Sequence, residues 1–140
     1  MKRSIVWLLM MLALASAPIA ARAEFDPGKY QPTTQADLSK NADRNVGKKF
    51  RITEPFQFCG SDFCVQKQMK INTREYYCFT VGPLCLVRMY IKKDHPAAQA
   101  VLELKKGDKV TVYGTFEQMG STFKYLVVDQ VVVEKKPATP

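Results

Sequence analysis

The sequence predicts a small, mainly β domain of five strands with one helix between the third and fourth. Three observations carry this. Apolar and polar residues alternate at period two over Lys49 to Cys59, along both arms of Thr73 to Lys93, and again after Lys109. Gly82-Pro83 splits the second of these stretches into the two arms of a hairpin. Asp94-His95-Pro96 then opens a segment with Ala97, Val101 and Leu104 on one stripe, and Gly107 can end it.

In chain order, residues 1–23 read as a secretory signal peptide. Lys2 and Arg3 form a positive n-region, Ser4 to Ala20 is mostly apolar, and Ala21-Arg22-Ala23 fits a small-residue cleavage site. The expected mature chain begins at Glu24, in the periplasm or outside the cell. No later apolar run is long enough to span a bilayer as a helix. Losing Lys2, Arg3 and Arg22 with the leader takes the formal net charge from +8 to +5. Lys48-Lys49-x-Arg51, Lys92-Lys93, Lys105-Lys106-x-x-Lys109 and Lys135-Lys136 hold much of the remaining basic charge. They form either ordinary solvated surface or an attraction for an anionic polymer.

Residues 24–44 are polar, carry Pro27 and Pro32, and read as a flexible arm. One helical turn is expected at Gln35 to Lys40 behind the capping signal Thr34-x-x-Asp37, with Leu38 able to tuck against the domain. The folded domain is expected over 45–134. Its first strand puts Phe50, Ile52, Phe56 and Phe58 on one face, and Pro55 marks an edge or a bend. Gly60-Ser61-Asp62 is turn-forming, and Val65 to Asn72 is a polar connection.

A two-residue turn at Gly82-Pro83 sets Thr80 opposite Cys85. That register puts Tyr76, Cys78, Thr80, Cys85, Val87, Met89 and Ile91 on a core face. It turns Tyr77, Phe79, Val81, Leu84, Leu86, Arg88 and Tyr90 outward. In the fourth strand Val110, Val112 and Phe116 alternate with polar residues, and Gly114 interrupts as a bulge or bend. Met119-Gly120-Ser121 is a turn. Thr122 to Val133 is the last strand, with a kink at Asp129-Gln130, and 135–140 is a disordered tail.

Four cysteines, Cys59, Cys64, Cys78 and Cys85, lie in an exported small domain, which favours two disulfides. Their C-x4-C and C-x6-C spacings are poor for a zinc knuckle. Of the three possible pairings, Cys59–Cys64 with Cys78–Cys85 is preferred. Cross-pairing, which would staple the first strand to the hairpin, stays open.

The order of elements, with Val46-Gly47-Lys48-Lys49-Phe50 entering strand one, resembles an OB-fold. Further matching residues are Leu104-x-x-Gly107-Asp108-x-Val110-x-Val112-x-Gly114 and Tyr125-Leu126-Val127-Val128-Asp129. The resemblance is to exported bacterial OB-fold domains, small periplasmic or tRNA-anticodon-like. It implies a five-stranded Greek-key barrel that binds across strands two and three. The ligand-binding residues it points to are Tyr77, Phe79, Arg88, Tyr90 and Lys92. Aromatic rings there could stack on bases or sugars, and Arg88 could pair with a phosphate or carboxylate.

No catalytic constellation is visible. The single histidine, His95, stands beside a helix-opening proline and reads as a local cap. Met69, Met89 and Met119 have no histidine cluster for copper, and a phosphate-cradling glycine loop is absent, so no metal or cofactor is expected. Two functions follow. The first is a non-enzymatic binding module for an anionic or carbohydrate-like envelope ligand. The alternative is a protein-interaction or assembly subunit of an envelope complex. Nucleic acid is the poorer partner, because the compartment rarely presents it.

Overall fold

The computed structural model describes residues 23–60 and 69–134. The expected leader up to Arg22, the turn and connection at 61–68 with Cys64, and the tail 135–140 lie outside the described residues.

Strand β2 (Lys49–Gly60) is the spine of the molecule. Its first half pairs antiparallel with β5 (Lys109–Met119), and its second half with β3 (Tyr76–Val81). β3 pairs with β4 (Arg88–Lys92), β4 runs parallel to β6 (Phe123–Val133), and β6 pairs with β5. The ring β2-β3-β4-β6-β5 thus closes on itself as the expected five-stranded barrel. Closure leaves the long strands few open edges. Pro55 sits where β2 changes partner: the Phe56 N–H turns to the Asp108 carbonyl, while the Pro55 carbonyl takes the Gly82 N–H. The proline is therefore the bend allowed for in the sequence.

The interior is filled by Phe50, Ile52, Phe56, Phe79, Val81, Val87, Met89, Ile91, Val110, Val112, Phe116 and Leu126. Phe58 does not join them. The β2–β3 register shifts between Phe56 and Phe58, so Gln57 is an extra residue and Phe58 comes out 55% exposed. Gly114 behaves as its position predicted. A second register shift falls at Tyr113/Gly114, and a Cβ on Gly114 would run into the Val127 carbonyl and the Leu126 side chain.

The arm expected to be flexible is built into the barrel. β1 (Gln31–Thr33) adds a parallel strand to β2. α1 (Gln35–Lys40) and α2 (Ala42–Asn45) follow, and Leu38 and Ala42 join the core. The Thr34 hydroxyl caps α1 by accepting from the Asp37 N–H at 3.2 Å. Short polar sequence hid the docking, because one buried leucine leaves no periodicity to read. α3 (Ala98–Leu102), between β4 and β5 in chain order, is a single short turn that buries Ala98 and Val101 in the main core. No helix among the described residues is long and apolar enough to cross a membrane.

Candidate functional site

The hairpin forms in a different register from the one the sequence predicted. Tyr76 faces Lys92, Cys78 faces Tyr90 and Phe79 faces Met89. The connection is residues 82–87 rather than a two-residue turn. Relative to the expected register the partners slide by three positions. An odd slide turns one strand over with respect to the other. Met89 and Ile91 keep the core face, but on β3 it is Phe79 and Val81, not Cys78, that stand beside them.

The loop is long because residue 35 holds it open. The buried Gln35 amide donates to the Val81 carbonyl and the Glu54 carboxylate, and its oxygen accepts from the Val87 N–H at 2.9 Å. Gly82, at φ +68, leaves no room for a side chain beside Glu54 and Gln35.

The predicted binding face is consequently divided. Phe79 is fully buried inside the barrel, and Tyr77 packs half-buried against that core. Tyr90 is fully buried on the other face, in an external cluster with Tyr76, Cys78 and Tyr125 under Met69, Ile71, Met119 and Phe123. Phe79 and Tyr90 therefore cannot be stacking platforms in the folded chain. Burial pushes the Tyr90 hydroxyl up in pKa, with Arg88 offsetting part of the rise; burial raises Tyr125 too, aided by Glu117. The Arg88 guanidinium lies over the Phe123 ring, 5.3 Å from its centroid.

Of the five predicted residues, Lys92 reaches a cleft at the far end of β3 and β4, whereas Tyr77 pairs with Ile91 and points to the opposite face of the sheet. The cleft, of about 330 Å³, is lined by Arg74, Glu75, Lys92, Lys93 and Asp94. Lys93 Nζ stands 5.3 Å from the centre of the Tyr77 ring. A short helical turn at Thr73–Glu75 shapes one wall, capped by the Asn72 side chain, whose amide also holds Glu75 at 2.8 Å. The Lys93 N–H donates to the Glu75 carbonyl at 2.9 Å and joins that wall to the end of β4. Arg74, Glu75, Lys93 and Asp94 are not among the residues the sequence points to. The Lys92-Lys93 pair marked the place, but only the barrel brings Arg74 to it.

The cysteines depart from the preferred pairing as well. Cys59 and Cys85 carry free thiols, so neither Cys59–Cys64 nor Cys78–Cys85 is formed. The register gives the reason. Cys59 pairs with Phe79 and packs against the main core, whereas Cys78 pairs with Gly60 and belongs to the opposite face. Cys85 sits in the exposed loop at φ +43, away from the ladder. Burial raises the Cys59 thiol.

A polar fastener links Tyr30, β2 and β6. Asp129 takes the Lys49 ammonium and the Tyr30 hydroxyl, both at 2.8 Å. The Asp129 bond holds Lys49 above its ordinary value, and burial followed by Asp129 raises Tyr30. The Tyr30 ring meets Phe25 and Tyr113 edge-on or tilted within 5.6 Å. His95 accepts from the Ala97 N–H at Nδ1, so its Nε2–H faces the Asp129 carbonyl at 2.8 Å. The ring thus ties the lead of α3 to β6, a structural use of the histidine.

No protein-family model and no curated protein sequence matches the chain. Solved structures do match by shape. One is an OBody bound to hen egg-white lysozyme, with TM-score 0.52 and 14% identity over 81% of this chain and 100% of that one. A second OBody–lysozyme complex has the same score and identity over 75% and 94%. A protein assigned as an aspartyl-tRNA synthetase from Leishmania major Friedlin gives 0.53 and 10%, over 87% of this chain and 24% of that one. The barrel is an OB-fold. At these identities the likeness is one of fold, so the OB-fold frames the site without naming its ligand. In that frame β3 and β4 are strands two and three, whose outer face usually takes the ligand. Here Met69 and Ile71 cover much of it, and the hairpin end is left open.

Proposed function

We propose that this OB-fold is a non-enzymatic binding module for an acidic carbohydrate polymer of the cell envelope, gripped at the end of β3 and β4. The carrying observation is the cleft in which Arg74, Lys92 and Lys93 meet Glu75 and Asp94. Three cations suit acidic groups, and two carboxylates can accept sugar hydroxyls. The leader-like residues 1–23 support an exported protein. An even number of cysteines in a small chain of this kind suits an oxidising compartment.

Titration with heparin and alginate, with dextran as neutral control, tests the binding reading. A Lys92→Ala/Lys93→Ala variant should bind the acidic polymers about tenfold more weakly and with a shallower salt dependence. Lys105→Ala/Lys106→Ala should change little. Equal loss in both variants, or none in either, would sink the assignment.

One observation favours a second reading, a protein-docking subunit. Leu84 is 68% exposed and Leu86 stands beside it on the loop that Gln35 pins. The OBody structures have lysozyme bound to a barrel of this shape. A partner that co-purifies at high salt with the native chain, and is lost with Leu84→Ser, would select this reading.

A further inference from the structure

At the opposite end of the barrel, α1 and α2 pack near the β5–β6 turn and leave a cleft of about 420 Å³. Ser39, Lys40, Asp43, Gln118, Ser121 and Lys124 line it. We propose that this cleft is a second binding site, for a phosphate- or sulfate-sized oxyanion carried on a hydroxyl-bearing molecule.

The charge arrangement carries the proposal. Lys124 is half-buried, and its ammonium donates to the neutral Ser39 hydroxyl at 3.1 Å. Among the described residues no carboxylate forms an ion pair with it; the pairs found are Lys49–Asp129, Lys70–Glu117 and Lys109–Glu134. Asp43 is the one acid in the cleft, and the Gln118 amide engages it at 3.2 Å. The same amide donates to the Gly120 carbonyl at 2.7 Å, which fixes the turn and the cleft wall together.

A partly desolvated ammonium without a counter-charge is costly, and an oxyanion offsets that cost through a charge-assisted hydrogen bond. A second hollow of about 240 Å³ continues from the first through Lys40, Ala42 and Asp43 to Arg44. Three cations therefore face one committed carboxylate along the trough. Its size exceeds that of a bare oxyanion and leaves room for a carrier, whose hydroxyls the Ser39 and Ser121 side chains can meet.

The site lies apart from Lys92 and Lys93, so it stands or falls independently of the polymer-binding reading. The test is amide chemical-shift titration of the full mature chain with inorganic phosphate and glycerol 3-phosphate, against chloride at matched ionic strength. Saturable shifts at Ser39, Ser121 and Lys124 are expected with both phosphates. Lys124→Met should weaken them about tenfold while keeping the native spectrum elsewhere. Ser39→Ala should weaken them less, and Lys92→Ala/Lys93→Ala should leave them unchanged. Shifts that chloride reproduces, that never saturate, or that persist in Lys124→Met would overturn the proposal.

Discussion

Replacing Gln35 by Ala should be among the most damaging single changes to a polar residue here. The side chain is 3% exposed and serves three partners. Its oxygen holds the Val87 N–H, and its nitrogen holds the Val81 carbonyl and the Glu54 carboxylate. Val81 and Val87 are themselves fully buried, so truncation strands a backbone donor and a backbone acceptor away from water. Each stranded group costs about 1–3 kcal/mol, which for the two gives a loss of roughly 2–6 kcal/mol. In a domain of this size that lowers Tm by about 10–30 °C. The assay is urea unfolding followed by fluorescence, joined to hydrogen exchange at Val87. A midpoint within error of the parent, with Val87 still protected, would refute the reasoning. Gln35→Glu separates the roles. It keeps the acceptor for Val87 but loses the donor and faces the Glu54 carboxylate, so it should also destabilise.

Four other outcomes are expected. Phe79→Ala and Tyr90→Ala should each cost about 3–5 kcal/mol in unfolding experiments, because both rings are packing and not surface; a folded variant with selectively weakened polymer binding would contradict their burial. Gly114→Val should unfold the barrel or cost several kcal/mol, since its side chain must displace the Val127 backbone and Leu126, whose Cγ a Cβ would approach to 2.8 Å; thermal denaturation reads this. Stability should decline at alkaline pH. The groups Tyr30, Lys49, Cys59, Tyr90 and Tyr125 all hold their protons more tightly when folded, so their contributions are complete below the ordinary values (9.0 for the thiol, 10.0 for tyrosine, 10.5 for lysine) and fade above them; a urea midpoint that is flat or rises above pH 9 would contradict the sign. Asp129→Asn should weaken the hold on Lys49 and Tyr30 by about 1 kcal/mol, because the Lys49–Asp129 pair is partly exposed; a double-mutant cycle with Lys49→Met measures it.

The barrel was legible where the signal was local. Alternation around Phe50 and Ile52, the breaks at Pro55 and Gly114, and the kink at Asp129 each reported a backbone constraint that neighbouring residues also obey. The helical turn at Gln35 to Lys40 followed from its Thr34 cap in the same way. The candidate site was less legible. Lys92 was found, but Tyr77 points to the opposite face of the sheet, and Phe79 and Tyr90 were assigned to a surface they do not reach. Gly82-Pro83 has the composition of a tight turn, and nothing within the hairpin says otherwise. The information that lengthens the loop is held by Gln35, far away in the chain and in a segment that reads as a polar arm.

The sequence by itself determined the order and kind of the five barrel strands, and with them the barrel, since strand periodicity and turn chemistry are properties of short stretches. Tertiary structure decided which side of β3 faces in, which cysteines are free, and which basic residues share a cleft. Those outcomes depend on register. A strand has period two, so a slide of three residues exchanges its faces while leaving its local pattern intact. Only contacts between distant residues, chiefly those of Gln35 with Val81 and Val87, choose between the two arrangements.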